Sequence, residues 1–163
     1  MTKTFAERLG WPRNARVVLF HTDDAGLCAS ANAGTIEARE RGLAASFSIM
    51  MPCPGAAEMA AYAKAHPEAD AGLHLTLTSE FQVFRWAPLS GAGDAPGLRD
   101  AQGFCWPSAQ ALAAHATPDA VALEIRTQLE AARRAGVQPS HIDCHMGALF
   151  LVPECFARYA QAG

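Results

Sequence analysis

The octapeptide SHIDCHMG, residues 140–147, sets two histidines and an aspartate at alternate positions, with Ile142 and Cys144 between them. In a β-strand successive side chains point to opposite faces. His141, Asp143 and His145 therefore share one face, and Ile142 and Cys144 share the other. A face carrying imidazole, carboxylate and imidazole must look into water, a cavity or a metal ion. Residues of the same kinds recur in HTDDAG, which holds Asp23 and Asp24, and in AGLHLTLT, which holds His74. Two imidazoles and one carboxylate make a three-ligand set with coordination positions left open, the pattern of a catalytic rather than a structural metal. A divalent ion held in this way lowers the pKa of bound water and polarises a carbonyl oxygen. The second aspartate of the pair is then free to act as general base. Taken singly, a DD pair reads as a solvated turn and His74 as a hydrogen-bonded core histidine. Their combination with H-x-D-x-H favours a metal site, while His66 and His115 read as surface residues.

These side chains need elements to position them. ARVVLF (15–20) reads as a buried strand, ending in the polar turn HTDDAG. Residues 30–41 read as a helix with Ala33, Ile36 and Ala38 inward and Gly42 as its stop. AASFSIM is a second strand, AAEMAAYAKAHP a second helix stopped by Pro67, and AGLHLTLT a third strand. In that strand Leu73, Leu75 and Leu77 share one face, with His74, Thr76 and Thr78 on the other. Residues 79–116 form a long irregular stretch containing Arg85, Trp86 and Trp106, read as a substrate wall or lid. Thr117 caps a helix beginning at Pro118, with Val121, Ile125 and Leu129 at helical spacing and Gly136 at its end. SHIDCH is the fourth strand, and VPECFARYAQAG begins a last helix. Strands alternating with helices indicate a parallel α/β sheet, wound open or closed into a barrel. In such folds function collects where strands end, which is where Asp23 and Asp24, His74, and His141, Asp143 and His145 fall.

The bulk numbers narrow the class. A chain of 163 residues with 50% apolar and 18% charged residues forms one globular domain, residues 1–163. Its formal charge of −3 gives no reason to expect nucleic acid or an anionic membrane as partner. No apolar run approaches the roughly 20 residues of a membrane span, and the first residues lack the apolar core of a signal peptide. Five scattered cysteines with no CxxC pair exclude a zinc knuckle or a dithiol motif and suggest reduced thiols in a cytoplasmic protein.

TDDAG, GLHLTLT and HIDCH, in this order, resemble the signature segments of the YdjC-like carbohydrate deacetylases, as do LTSEF and FRWAPLSG of one branch. The resemblance runs from about residue 15 to residue 155. It implies a distorted, TIM-like (β/α) barrel, of which four βα units are about half. It also implies a divalent-metal hydrolase that removes acetyl groups from N-acetylated sugars. Carried over by position, Asp24, His74 and His145 match the metal ligands and Asp23 the general base. His141 and Asp143 would orient ligands or substrate in the same pocket. Apart from the resemblance, Arg85, Trp86 and Trp106 in the long loop read as a sugar platform, since aromatic faces suit pyranose rings, with plain loop packing as the alternative. The ion is one divalent cation, zinc or magnesium.

Three departures qualify the match. Ala25 stands where the family commonly has an aromatic, and Met146 and Gly147 where many members have a further histidine. Family members are also considerably longer, and their general acid is a histidine in the C-terminal part, so the chain reads as a fragment or a truncated form. Other readings stay open. A 2-His-1-carboxylate set also suits a non-haem iron oxygenase, although no basic cosubstrate anchor accompanies the motifs. A truncated, non-catalytic metal- or sugar-binding module is a second alternative. Homodimerisation that covers the exposed sheet edges is a third expectation.

Overall fold

Each strand-forming run is followed by a helix with its own start and stop signals. The computed structural model describes residues 2–163 and shows these runs as a regular alternation. After a capped turn, α1 (Phe5–Arg8), come β1 (His21–Ala25), α2 (Ala29–Glu40), β2 (Ser46–Ile49), α3 (Ala56–Ala65) and β3 (Asp70–Leu75). A long loop then leads to α4 (Ala109–His115), α5 (Pro118–Arg134), β4 (Ile142–Cys144), a 3-10 segment (His145–Phe150) and α6 (Pro153–Ala162). The start of α5 follows its sequence signals: Pro118 is the first helical residue and the Thr117 hydroxyl accepts from the Ala120 N–H.

All four strands are parallel and lie in the order β1-β2-β3-β4. An open doubly wound sheet reverses its strand order at a switch point; a (β/α) barrel adds each strand beside the last. The sequential order makes this sheet an arc of a barrel. Its two faces differ in chemistry. Phe47, Ile49, Ala71, Leu73 and Leu75 point outward and pack with Met59, Ala60 and Ala63 of α3 and Val121, Ile125 and Ala132 of α5. Burying each large side chain there stabilises the fold by about 1.5–3 kcal/mol. The other face carries His21, Ser46, Ser48, His74 and Asp143, joined by hydrogen bonds across three strand pairs. The helical layer thus seals one face and leaves the polar face to the barrel interior.

Three local expectations are corrected. The apolar run Val17–Phe20 is not a buried strand. Val17, Val18, Leu19 and Phe20 are 53%, 72%, 65% and 61% exposed, and the strand is the polar segment that follows. An apolar run is buried only where another layer covers it, and among the described residues β1 pairs on one side alone. Helix α2 turns Asn32 and Thr35 inward and leaves Ala33 exposed. Asn32 is fully buried because its amide satisfies the Gly26 N–H, the Gly55 carbonyl and Glu58 at once. Hydrogen-bond demand at the β1–α2 turn, not side-chain hydropathy, orients this helix. Lastly, the irregular stretch ends early, because Ser108 caps α4 by accepting from the Ala111 N–H.

The loop between β3 and α4 is closed on itself by bridges joining Thr78 to Trp106 and Arg99 to Cys105. Two fully buried side chains of α5 anchor it. Gln128 takes the N–H of Thr76 and donates to its carbonyl, which is why β3 stops at Leu75 although the alternation continues to Thr78. Glu124 accepts from the N–H groups of Leu89 and Ser90 and from Gln128. Replacing Gln128 by leucine leaves both backbone groups of Thr76 buried and unpaired. The expected loss is about 2–4 kcal/mol of folding stability, read as a lower urea midpoint at unchanged slope. A midpoint equal to that of the parent would show that the loop does not need this anchor.

Candidate metal centre

The two adjacent aspartates of β1 would point to opposite faces of a regular strand. Here the pairing shifts: Thr22 faces Phe47 and Ala25 faces Ile49, so Asp23 and Asp24 together stand opposite Ser48. This is a β-bulge, a device that re-aims side chains at strand ends. Asp24 is left-handed, with φ of 57°, an uncommon state that aspartate tolerates better than most residues. Gly26 follows at φ +88°, where a side chain would press on the backbone of Ala56 and on Ile49. The turn carries Asp24 toward β3 and β4, while Asp23 stays exposed.

On β3, His74 is buried, its Nδ1 2.7 Å from Asp143 Oδ1 and 3.3 Å from Ser48 Oγ. Its register pairing with Asp143 on β4 places the two side by side on the polar face. Its Nε2 is 3.2 Å from Asp24 Oδ1 and has no hydrogen-bond partner, although it is buried. His145, just past β4, is also buried. Its Nδ1 is 3.1 Å from the same Asp24 oxygen and its Nε2 3.0 Å from Glu80 Oε2. Met146 and Gly147, at φ 54° and 59°, turn the chain sharply away behind it. Ligand atoms of Asp24, His74 and His145 all lie within 4.8 Å of one another.

The donor set fits a divalent cation. Asp143 takes the Nδ1 side of His74, so a neutral imidazole has its lone pair on the buried, unpartnered Nε2, which faces Asp24. A carboxylate behind a histidine is the usual outer support of a metal ligand. Without a cation the charges settle differently. Burial opposes a charge on His74, but the neighbouring carboxylates of Asp143 and Asp24 outweigh it and raise its pKa to about 9. His145 behaves likewise, with burial opposed by Asp24 and Glu80 and the net shift upward. The hydrogen-bonded His145 and the nearby His74 ring hold the Asp24 carboxyl far below the usual range. Asp143 is also lowered, its burial outweighed by His74. The carboxylates and imidazoles of the site thus favour each other's charged forms.

The remaining sequence candidates have other surroundings. His141 lies at the opposite end of β4, its ring 5.2 Å from that of His21, beside a cavity of about 400 Å³ that Asp70 and Asp143 also line. It does not join the three ligand atoms. Trp86 is buried, donates from Nε1 to the Thr78 carbonyl, and sets its ring edge-on to His145 at 6.1 Å. Arg85 is engaged within the loop: it pairs with Asp100 at 2.7 Å, donates to the Cys105 carbonyl and lies over Phe104. Trp106 stacks on His115 at 3.9 Å, away from the cluster. All five cysteines are free, and burial pushes the thiols of Cys53 and Cys105 strongly up, so neither supplies a thiolate.

Three contributors were not singled out from sequence. Glu80 reaches His145 from the long loop, whose path no spacing rule specifies. Ser48 bridges Asp143, His74 and His21, and its only signal was its place in the alternation of SFSI. His21 is held by Ser46 at 2.7 Å and by Ser48 at 3.0 Å, and approaches Asp143 at 3.3 Å.

The chain is similar to several known proteins. A carbohydrate deacetylase of Thermus thermophilus is 35% identical over 158 residues, covering 96% of this chain and 54% of that protein. A chitooligosaccharide deacetylase of Yersinia enterocolitica is 31% identical over 133 residues, covering 80% of this chain and 49% of that protein. The chain thus spans about half the length of the curated relatives it matches. A crystal structure of a proposed cellobiose-phosphate cleavage protein from Enterococcus faecalis superposes with a TM-score of 0.79. That match covers 88% of this chain and 53% of the other at 24% identity, which bears on the fold alone. Residues 17–163 match the family described as YdjC-like protein, and the chain belongs to that family.

Proposed function

We propose that these residues form the metal-binding, water-activating part of a hydrolase that removes N-acetyl groups from amino sugars or oligosaccharides. The observation that carries this reading is the convergence of Asp24, His74 and His145, with His74 Nε2 buried and unpartnered beside the carboxylate. The names of the similar proteins supply the substrate class. Asp24, His74 and His145 would hold a divalent ion such as zinc or magnesium, which when bound would polarise an amide carbonyl and acidify water. Asp23, exposed on the same bulge, takes the proton of the attacking water. The hydroxyl goes to the acyl carbon, the C–N bond breaks, and the amine leaves with the proton that Asp23 took from the water. Asp143 and Ser48 hold His74 in orientation throughout, while Trp86 backs His145. The substrate wall is the loop that Arg85 braces, and its exposed apolar side chains are Phe81, Val83, Phe84 and Leu89 rather than Trp86. Five free cysteines suit a reducing, cytoplasmic setting. Among the described residues no helix is long and apolar enough to cross a membrane.

Metal content is the direct test. Elemental analysis of the purified chain should give about one divalent ion per chain, as a three-ligand set with open positions predicts, and Asp24→Ala with His74→Ala should abolish it. A parent that stays metal-free after incubation with zinc and with magnesium would sink the proposal.

The pH dependence follows from the raised histidine pKa. Charged His74 stabilises the metal-free fold fully below its ordinary pKa of 6.5, and this contribution fades as pH rises through about 9. A cation needs the neutral imidazole, so its affinity should climb with pH over the same range and binding at neutral pH should release protons. Calorimetry in two buffers of different ionisation enthalpy reads that release directly. Identical heats in both would contradict it.

Asp23→Asn should keep the metal and lower turnover of an N-acetylated chitooligosaccharide by about 10²–10⁴-fold, the usual worth of a general base. A variant as fast as the parent would remove Asp23 from that role. Metal bound with no hydrolysis by the parent would support the reading of a non-catalytic binding module instead.

A further inference from the structure

Asp24 Oδ1 is flanked by His74 Nε2 at 3.2 Å and by His145 Nδ1 at 3.1 Å. The outer nitrogens each meet a second carboxylate: His74 Nδ1 meets Asp143 at 2.7 Å, and His145 Nε2 meets Glu80 at 3.0 Å. The two imidazoles are thus held in opposite senses, one offering Nε2 inward and the other Nδ1. We infer that Glu80 is a positioning residue for His145: it accepts the Nε2–H and thereby presents Nδ1 to the cation that Asp24 and His74 share. This rests on the metal site proposed above and deepens it.

The chemistry is that of a ring with two unlike nitrogens. A neutral imidazole carries one N–H and one lone pair, and the acceptor on one nitrogen decides which nitrogen is left to bind. No other hydrogen-bond acceptor faces His145 Nε2 among the described contacts. Trp86, edge-on to the same ring, restricts its rotation without competing for either nitrogen. Glu80 also differs from Asp143 in origin. Asp143 comes from the neighbouring strand, whereas Glu80 comes from the long loop, five residues beyond the end of β3 at Leu75. The order of that loop, set by Trp86 on Thr78 and by Gln128 on Thr76, is therefore coupled to the presentation of one ligand.

The test begins with the unmutated chain loaded with zinc, using ¹⁵N-detected NMR of the histidine rings. The expected result is His74 bound through Nε2 with Nδ1 protonated, and His145 bound through Nδ1 with Nε2 protonated. His145 bound through Nε2 overturns the assignment even if zinc is held. A chain that takes up no zinc instead removes the metal site itself, so the two failures are distinct. Variants then give the magnitude. Glu80→Ala should weaken zinc binding by roughly 10- to 100-fold in competition with a chromophoric chelator, the usual cost of losing an outer partner. Glu80→Gln keeps an acceptor and should recover most of that loss. The cobalt-substituted protein adds a signature: its visible spectrum should keep the same coordination number in both variants. A change in coordination number in both would make Glu80 a direct ligand and overturn the positioning role. An affinity for Glu80→Ala equal to that of the parent would overturn it as well.

Discussion

A buried imidazole at position 74 constrains the structure around it. His74 sits in the interior with both ring nitrogens directed at carboxylates, and taking such a group out of water is costly unless both ends are matched. The matching cannot come from β3 itself, whose neighbouring residues are leucines pointing the other way. It comes from β4 on one side, through Asp143, and from the bulged end of β1, through Asp24. The register that aligns His74 with Asp143 is therefore an electrostatic requirement as well as a backbone one. Ser48 on β2 completes the arrangement by donating to Asp143.

This requirement explains why the sheet has two unlike faces. Outward, Phe47, Ile49, Leu73 and Leu75 supply the apolar area that α3 and α5 cover, and most of the stabilisation resides there. Inward, a continuous polar layer runs from His21 through Asp143, His74, Asp24 and His145 to Glu80. Such a layer stabilises a fold only if every member is satisfied. Nε2 of His74 faces the Asp24 carboxylate at 3.2 Å without a hydrogen bond, and the left-handed backbone at Asp24 is the kind of strain that concentrates at working sites.

The loop between β3 and α4 shows how a segment without regular structure can be as well positioned as a strand. Its backbone groups are taken by Gln128 and Glu124, its turns by Arg85 and Asp100, and its apolar centre by Trp86 packed with Met50, Cys53 and Cys105. These contacts hold Trp86 and Glu80 against His145. The loop and the cluster of Asp24, His74 and His145 are consequently joined by direct contacts.

The sequence by itself determined the alternation of strands and helices, the caps of α5, the polar face of H-x-D-x-H and the strand-end placement of Asp24, His74 and His145. These features are local: they follow from residue period, from capping chemistry and from side-chain type. Through its three motif segments the sequence also indicated the family. Only the tertiary structure decided that Val17–Phe20 lies exposed, since burial depends on a covering layer that no run of residues encodes. Only it separated His141 from the cluster, because alternation assigns a face but not a depth along the strand. Glu80, Ser48 and His21 entered the site through loop path and strand register, which set distances between residues far apart in the chain, and those distances do not appear in any spacing along it.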